Sequence, residues 1–285
     1  MSLKNEILKF AEQEDMDLVG FANRERFSEL EAKLNPFTIF PEGNTVILIG
    51  ERITRGSLRG IEEGSNFQDY GFYGYKALDD VFTAQSCYDI VCFIENRGWE
   101  AVPVFPNPVE SAGTGIEVAE GKEKPNVTPD FNYAAVACGL GEIGMNREFI
   151  NDVYGTRIRF QMIITDAIIE SDPINSHNLC DLCGKCADIC PLDAIDLTKT
   201  ETIEICGKTM KVASVDYNKC SICKNGVVLN RLYKSAKPDR LAALCNRTCL
   251  SHLEESGKLK NTFKNKFRKR QPWTLDLMGK AGYEK

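Results

Sequence analysis

The run Cys180-x2-Cys183-x2-Cys186-x3-Cys190-Pro191 constrains this chain more than any other stretch of it. Three thiols at two-residue gaps can wrap one cubane from a single loop. The fourth sits on the following turn and points away, toward a second centre. This is the spacing of a [4Fe–4S] loop. A structural zinc site needs two well-separated ligand pairs, and it does not account for three consecutive steps followed by Cys-Pro.

A second cluster needs four thiolates, one of them Cys190. Downstream lie Cys220-x2-Cys223 and, after a long gap, Cys245-x3-Cys249. The reciprocal ligation of two-cluster ferredoxins assigns Cys180, Cys183, Cys186 and Cys249 to one cluster. It assigns Cys190, Cys220, Cys223 and Cys245 to the other. Eight of the 12 cysteines are then used with no position left vacant. Cys87 and Cys92 fall in a long helical pattern and read as core packing. Cys206 falls in a hairpin turning at Gly207-Lys208, and Cys138 abuts a glycine motif. His177 and His252 are the only histidines, each three residues from a cluster cysteine and within reach of hydrogen bonds that tune a cluster. So few histidines leave little for a His-based zinc hydrolase or a Ser-His-Asp triad.

Twelve cysteines in 285 residues is high for a chain expected to be cytoplasmic, where thiols stay reduced and metal ligation is favoured over disulfides. The cytoplasmic expectation rests on the N-terminal residues, which show no apolar signal core and no twin arginine. No stretch is apolar enough to span a bilayer, so no membrane partner is expected. The net charge of −6 is unevenly spread. Residues 256–285 hold nine Lys/Arg against two acidic residues, a net of +7, which leaves −13 on the rest. An acidic body makes nucleic acid an unexpected partner. The basic tail reads either as a solvated terminus or as a docking patch for an acidic partner, with Trp273 and Leu275 suggesting that its end packs back.

Helical and strand patterns alternate through the first 170 residues. The apolar spacing predicts a helix over 3–19 leading into a strand at 18–22, and strands at 45–50, 101–105 and 157–166. Pro103 puts the 101–105 strand at a sheet edge. Helices are expected at 76–98 and 130–138, with a Gly/Tyr-rich loop at 56–75 and a polar loop at 106–129. The fold class is therefore α+β, with domains expected at 1–172, 173–255 and a tail at 256–285. Gly139-Leu140-Gly141-Glu142-Ile143-Gly144 matches GxGxxG, but it follows a helix rather than a strand, and only one strand separates it from the cysteines. That context argues against dinucleotide binding.

Several segments together resemble the epoxyqueuosine reductase and reductive dehalogenase superfamily. They are Asp17-Leu18-Val19-Gly20-Phe21-Ala22 after the opening helix, the stretch Ala134-Ala135-Val136-Ala137-Cys138-Gly139-Leu140-Gly141-Glu142-Ile143-Gly144-Met145-Asn146, and the strand from Arg157 to Asp166. The agreement in order and spacing runs over roughly residues 1–255. The resemblance implies a nitroreductase-like core that binds a corrinoid (cobalamin), joined to a double-[4Fe–4S] ferredoxin-like domain. It implies that Gly139, Leu140, Gly141, Gly144 and Asn146 approach the corrinoid and that Tyr70 and Tyr73 wall its pocket. The family's proton-donating Asp position is occupied here by Pro125. Asp130 and Tyr133 are nearby acids out of register, and they are the catalytic candidates.

The expected function is an oxidoreductase in which two clusters deliver electrons to cobalt for reduction of a small organic substrate. The partners expected are an electron donor such as ferredoxin or flavodoxin and a small substrate or a corrinoid protein. Two alternatives stand beside it: an electron carrier or activator of a corrinoid protein, and a flavin in place of the corrinoid.

Overall fold

The computed structural model describes residues 2–111 and 113–282. The chain packs as two compact units. Of the described residues, those within 1–51, 78–140 and 159–175 form one, and those within 52–77, 141–158 and 176–285 form the other. The units are interleaved in sequence, so the division falls differently from the expected cuts at 172 and 255. Residues 256–282 belong to the cysteine-bearing unit instead of standing apart as a tail.

The first unit is a mixed α/β layer. Strands β1 (Leu18–Asn23), β2 (Thr45–Arg52), β3 (Ala101–Val104) and β4 (Ile158–Thr165) make one sheet in the order β1-β2-β4-β3. β1 runs antiparallel to β2, with Leu18 opposite Gly50, and β3 antiparallel to β4, with Ala101 opposite Thr165. β3 is an edge strand, the place where Pro103 costs no ladder bond. Helix α1 (Leu3–Gln13) starts at Ser2, whose hydroxyl accepts the Asn5 N–H. Its Ile7 and Ala11 bury together with Phe21, Ile47, Ile49 and Ile163 of the sheet and with Cys87, Ile90 and Ile94 of helix α2 (Thr83–Glu95). Cys87 thus belongs to the apolar core, and burial pushes its thiol up to about 12. Helix α3 (Phe131–Ala137) follows later in the same unit.

The helix expected over 76–98 is modified at its start. Tyr70–Lys76 and Leu78–Phe82 wind as π-helical turns ahead of α2, so part of the expected Gly/Tyr loop is helical. The local reason lies in Tyr70, which is fully buried, with its ring pressed so close to Gly74 that a Cβ there would meet it at 2.5 Å. A wider turn makes room for the ring. Among the described residues, no helix is long and apolar enough to cross a membrane.

The second unit is built on a long hairpin, β5 (Ile195–Ile205) and β6 (Lys208–Val215), and on helix α4 (Leu244–Glu255). Cys206 takes φ 51° and Gly207 φ 81° in the two-residue turn, a pairing that matches the primed turn of a tight hairpin. The basic C-terminal stretch is anchored within this unit. The Trp273 indole N–H donates to Ile61 O at 2.8 Å, and the Leu275 N–H donates to Asn225 Oδ1 at 2.7 Å.

Candidate iron–sulfur centre

The cysteine loop coils because two of its residues adopt left-handed backbone. Leu182 has φ 59° and Gly184 φ 75°, which turns the chain back on itself between Cys180 and Cys186. Cys249 lies one helical turn after Cys245 on α4, and the two thiols reach different neighbours. Cys249 is pushed well above the ordinary thiol range by burial and then by charge repulsion from Cys186, Cys180 and Cys183. Cys245 is pushed up to about 12 by burial, with Cys190 and Cys220 adding to the rise. Cys220, up to about 11, is raised by burial and then by Cys190 and Cys223. Cys190, Cys220, Cys223 and Cys245 line one cavity, and Cys249 lies near Cys180, Cys183 and Cys186.

This chemistry fits a metal cluster. Burial opposes thiolate formation in each group, and a cation or cluster core is what relieves that opposition. Donors are already aimed at sulfur. The Met145 N–H points at Cys180 Sγ (3.3 Å), the Ala194 N–H at Cys190 Sγ (3.3 Å) and Asn225 Nδ2 at Cys223 Sγ (3.6 Å). Backbone N–H···S bonds of this kind stabilise cluster thiolates. The Cys180 N–H in turn donates to Glu142 Oε1 at 2.7 Å, and Glu142 pairs with Lys208 at 3.1 Å.

Two buried arginines flank the Cys190 group. Arg240 is 2% exposed; its guanidinium holds Glu148 at 2.6 Å and donates to Asn146 O at 2.8 Å, while its Nη1 has no hydrogen-bond partner. It lines the same cavity as the four thiols and counteracts the burial-driven rise of Cys220 and Cys245. Arg247 lies on α4 between Cys245 and Cys249 and pairs with Glu62. Neither arginine was marked by sequence reasoning, and Glu142 and Met145 entered it only as members of the glycine loop, with no role at the cysteines. They act across long sequence separations and carry no local signature.

The histidines take other partners. His252 Nε2 meets Asp181 Oδ2 at 2.8 Å and its Nδ1 meets Lys185 at 3.0 Å, while His177 Nδ1 lies 3.2 Å from Asp152. Asp181 faces Cys183, and its carboxylate, the Cys183 Sγ and a His252 ring nitrogen all lie within 4.8 Å of one another. Asp181 itself is held well below the usual carboxylate range; burial acts against this, but hydrogen bonds from His252 and Lys258 outweigh it.

The residues nominated for a corrinoid are engaged with the protein itself. A Cβ at Gly139 (φ 72°) would lie 2.2 Å from Pro173 O, one at Gly141 2.1 Å from Ile150 O, and one at Gly144 2.5 Å from Ile150 Cδ1. Close packing of the chain alone requires glycine at these three positions. Leu140 sits against β1 at Gly20. Asn146 is 1% exposed and donates to Asn246 Oδ1 at 2.6 Å. Tyr70 is buried with its hydroxyl on Asp239, while Tyr73 is 55% exposed. The catalytic candidates are likewise occupied. Asp130 caps the helix Phe131–Ala137 by accepting the N–H groups of Asn132 and Tyr133, and the Tyr133 hydroxyl donates to Arg26 O at 2.8 Å.

Residues 174–196, which contain the four-cysteine run, match the 4Fe-4S binding domain family. The chain is also related to two enzyme groups. It is 32% identical over 207 residues to a tetrachloroethene reductive dehalogenase of Desulfitobacterium hafniense, covering 64% of this chain and 36% of that protein. It is 27% identical over 181 residues to an epoxyqueuosine reductase of Lactococcus garvieae (strain Lg2), covering 53% of this chain and 49% of that protein. The solved structure titled "Reductive dehalogenase structure suggests a mechanism for B12-dependent dehalogenation" aligns with a TM-score of 0.51 at 18% identity. That alignment covers 75% of this chain and 28% of the other, and it is a likeness of fold. The chain spans between a third and a half of the length of these curated relatives.

Proposed function

We propose that the protein is an iron–sulfur oxidoreductase whose eight cysteines hold two [4Fe–4S] clusters in crossed ligation. Cys180, Cys183, Cys186 and Cys249 would hold one, and Cys190, Cys220, Cys223 and Cys245 the other. The observation that carries the proposal is the grouping of the buried thiols, with Cys245 and Cys249 facing different sets from one turn of one helix. In this reading Arg240, Arg247 and the N–H groups of Met145 and Ala194 hold negative charge on the cluster sulfurs and exclude water from them.

The relatives support a corrinoid as the electron acceptor and a small organic molecule as the final substrate; the nitroreductase-like core is part of the same proposal. A bound corrinoid would supply a cobalt that accepts the delivered electrons. Gly141, Gly144, Asn146 and Tyr70 are buried in the protein's own packing, whereas Gly139 and Leu140 are half-exposed and Tyr73 is exposed. The same observation, together with the capping role of Asp130, favours a second reading in which the clusters pass electrons to a partner protein.

The two readings separate on one experiment. The chain, purified anaerobically and supplied with cobalamin, is reduced with dithionite and followed by visible spectroscopy. Stoichiometric bound cobalt that converts to its reduced spectrum supports the first reading. Reducible clusters without cobalt retention support the second, and absence of reducible clusters contradicts both.

A further inference from the structure

We infer that the second unit carries an anion-binding pocket, separate from the cysteines, shaped for a phosphate-bearing small molecule of about nucleotide size. The pocket is an open surface hollow of about 450 Å³. Bare phosphate would fill a small part of that volume, which lies in the range of small-molecule sites. Four cations, Arg55, Arg59, Lys264 and Lys269, contribute to its wall, and no carboxylate does.

Arg55 is the built element. It is 8% exposed, its guanidinium stacks 4.2 Å from the Phe263 ring centre, and Nη2 is fixed on the Asn265 carbonyl. Glu254 lies 3.6 Å from its Nε. These contacts fix the orientation of the guanidinium before any ligand arrives, which lowers the entropy cost of a bidentate phosphate contact. Arg59 sits over Phe267 at 5.2 Å and uses Nη1 on Glu63. Burial lowers the Arg55 pKa, Glu254 opposes that, and the neighbouring Arg59 adds to the lowering. Glu254 and Glu63 partly neutralise the two arginines, and with Lys264 and Lys269 the wall keeps a net positive charge that a multivalent anion satisfies. Phe263, 46% exposed, adds an apolar face beside the cations, which suits an organic group attached to the phosphate.

The test uses the full iron-loaded chain in calorimetric titrations with inorganic phosphate, pyrophosphate and ADP at constant ionic strength. Expected is saturable 1:1 binding, tighter for pyrophosphate or ADP than for phosphate. In the Lys264→Gln/Lys269→Gln double variant it should weaken by at least ~10-fold, as loss of two charge-assisted contacts implies. Iron content and circular dichroism of that variant should match the parent. Arg55→Lys, which keeps the charge but loses the planar fork, should weaken pyrophosphate binding more than phosphate binding. A control pair in an exposed loop, Lys122→Gln/Lys124→Gln, should leave binding unchanged. Three results would overturn the inference: no saturation with any probe, an unaffected double variant, or an equal loss in the control. Binding of poly-glutamate but of no phosphate probe would also overturn it, by making the patch an acidic-protein dock.

Discussion

Replacing Glu62 by leucine removes the carboxylate that neutralises the most deeply buried charge of the second unit. Arg247 is fully buried and Glu62 is 7% exposed. Arg247 Nη1 pairs with Glu62 Oε2, and Arg268 Nε holds Glu62 Oε1 at 2.7 Å. After Glu62→Leu, Arg247 keeps Ala242 O at 2.9 Å, Asn225 O at 3.5 Å and the Trp273 ring at 5.5 Å, none of them a counter-ion. A buried charge stripped of its counter-ion costs about 3–5 kcal/mol. For a unit of this size that corresponds to a fall in melting temperature of roughly 6–20 °C. Arg247 lies between Cys245 and Cys249, so a loosened α4 should also release iron. The assay is thermal unfolding of the anaerobic, iron-loaded chain, with iron measured before and after mild heating. The double variant Glu62→Leu/Arg247→Met removes both charges and should recover most of the loss, because an apolar pair of similar volume tolerates that burial. A loss below ~1 kcal/mol in the single variant, or no recovery in the double, would refute the reasoning.

Three further outcomes are expected. Gly141→Ala should destabilise the apo chain by about 1–3 kcal/mol in urea unfolding even without cobalamin, because the methyl group meets Ile150 O at 2.1 Å; an effect seen only with cobalamin present would restore a cofactor role to that glycine. Arg240→Gln should shift the midpoint potential of one cluster in an EPR-monitored titration to more negative values, since a buried cation beside Cys220 and Cys245 favours the reduced, more negative state; an unchanged potential at full iron content would count against it. Glu51 is raised to about 7 by burial, with Asp17 adding to the rise and a Ser86 hydrogen bond opposing it. A folded-state value above the unfolded one favours the protonated form, so stability is full at acid pH and is lost as pH rises through about 7. Glu51→Gln should therefore flatten the fall in melting temperature between roughly pH 5 and 8, and a parallel pH profile would contradict the assignment.

The sequence made legible what is local. Apolar periodicity located β1, β2, β4 and α2, and Pro103 placed β3 at an edge, because these follow from backbone geometry and short-range burial. The hairpin was visible for the same reason, although its turn was expected one residue later, at Gly207-Lys208 instead of Cys206-Gly207. The interleaving of the two units was not, since it depends on which segments meet after folding. The π-helical turns at Tyr70–Lys76 follow from one buried ring against Gly74, a packing fact without a sequence period. Glu62 and Arg247 are 185 residues apart, and nothing near either announces the other. The glycine run was conspicuous, but its spacing did not distinguish approach to a ligand from approach to the Pro173 and Ile150 carbonyls.

The central claim is that eight thiols in two groups hold two clusters. The direct measurement is iron and acid-labile sulfide per chain after anaerobic reconstitution, made in parallel on Cys245→Ser and Cys249→Ser. Crossed ligation predicts about eight irons in the parent. Each variant should then lose the EPR signal of a different cluster, although the two positions are one helical turn apart. About four irons in the parent, or loss of the same signal in both variants, would contradict it.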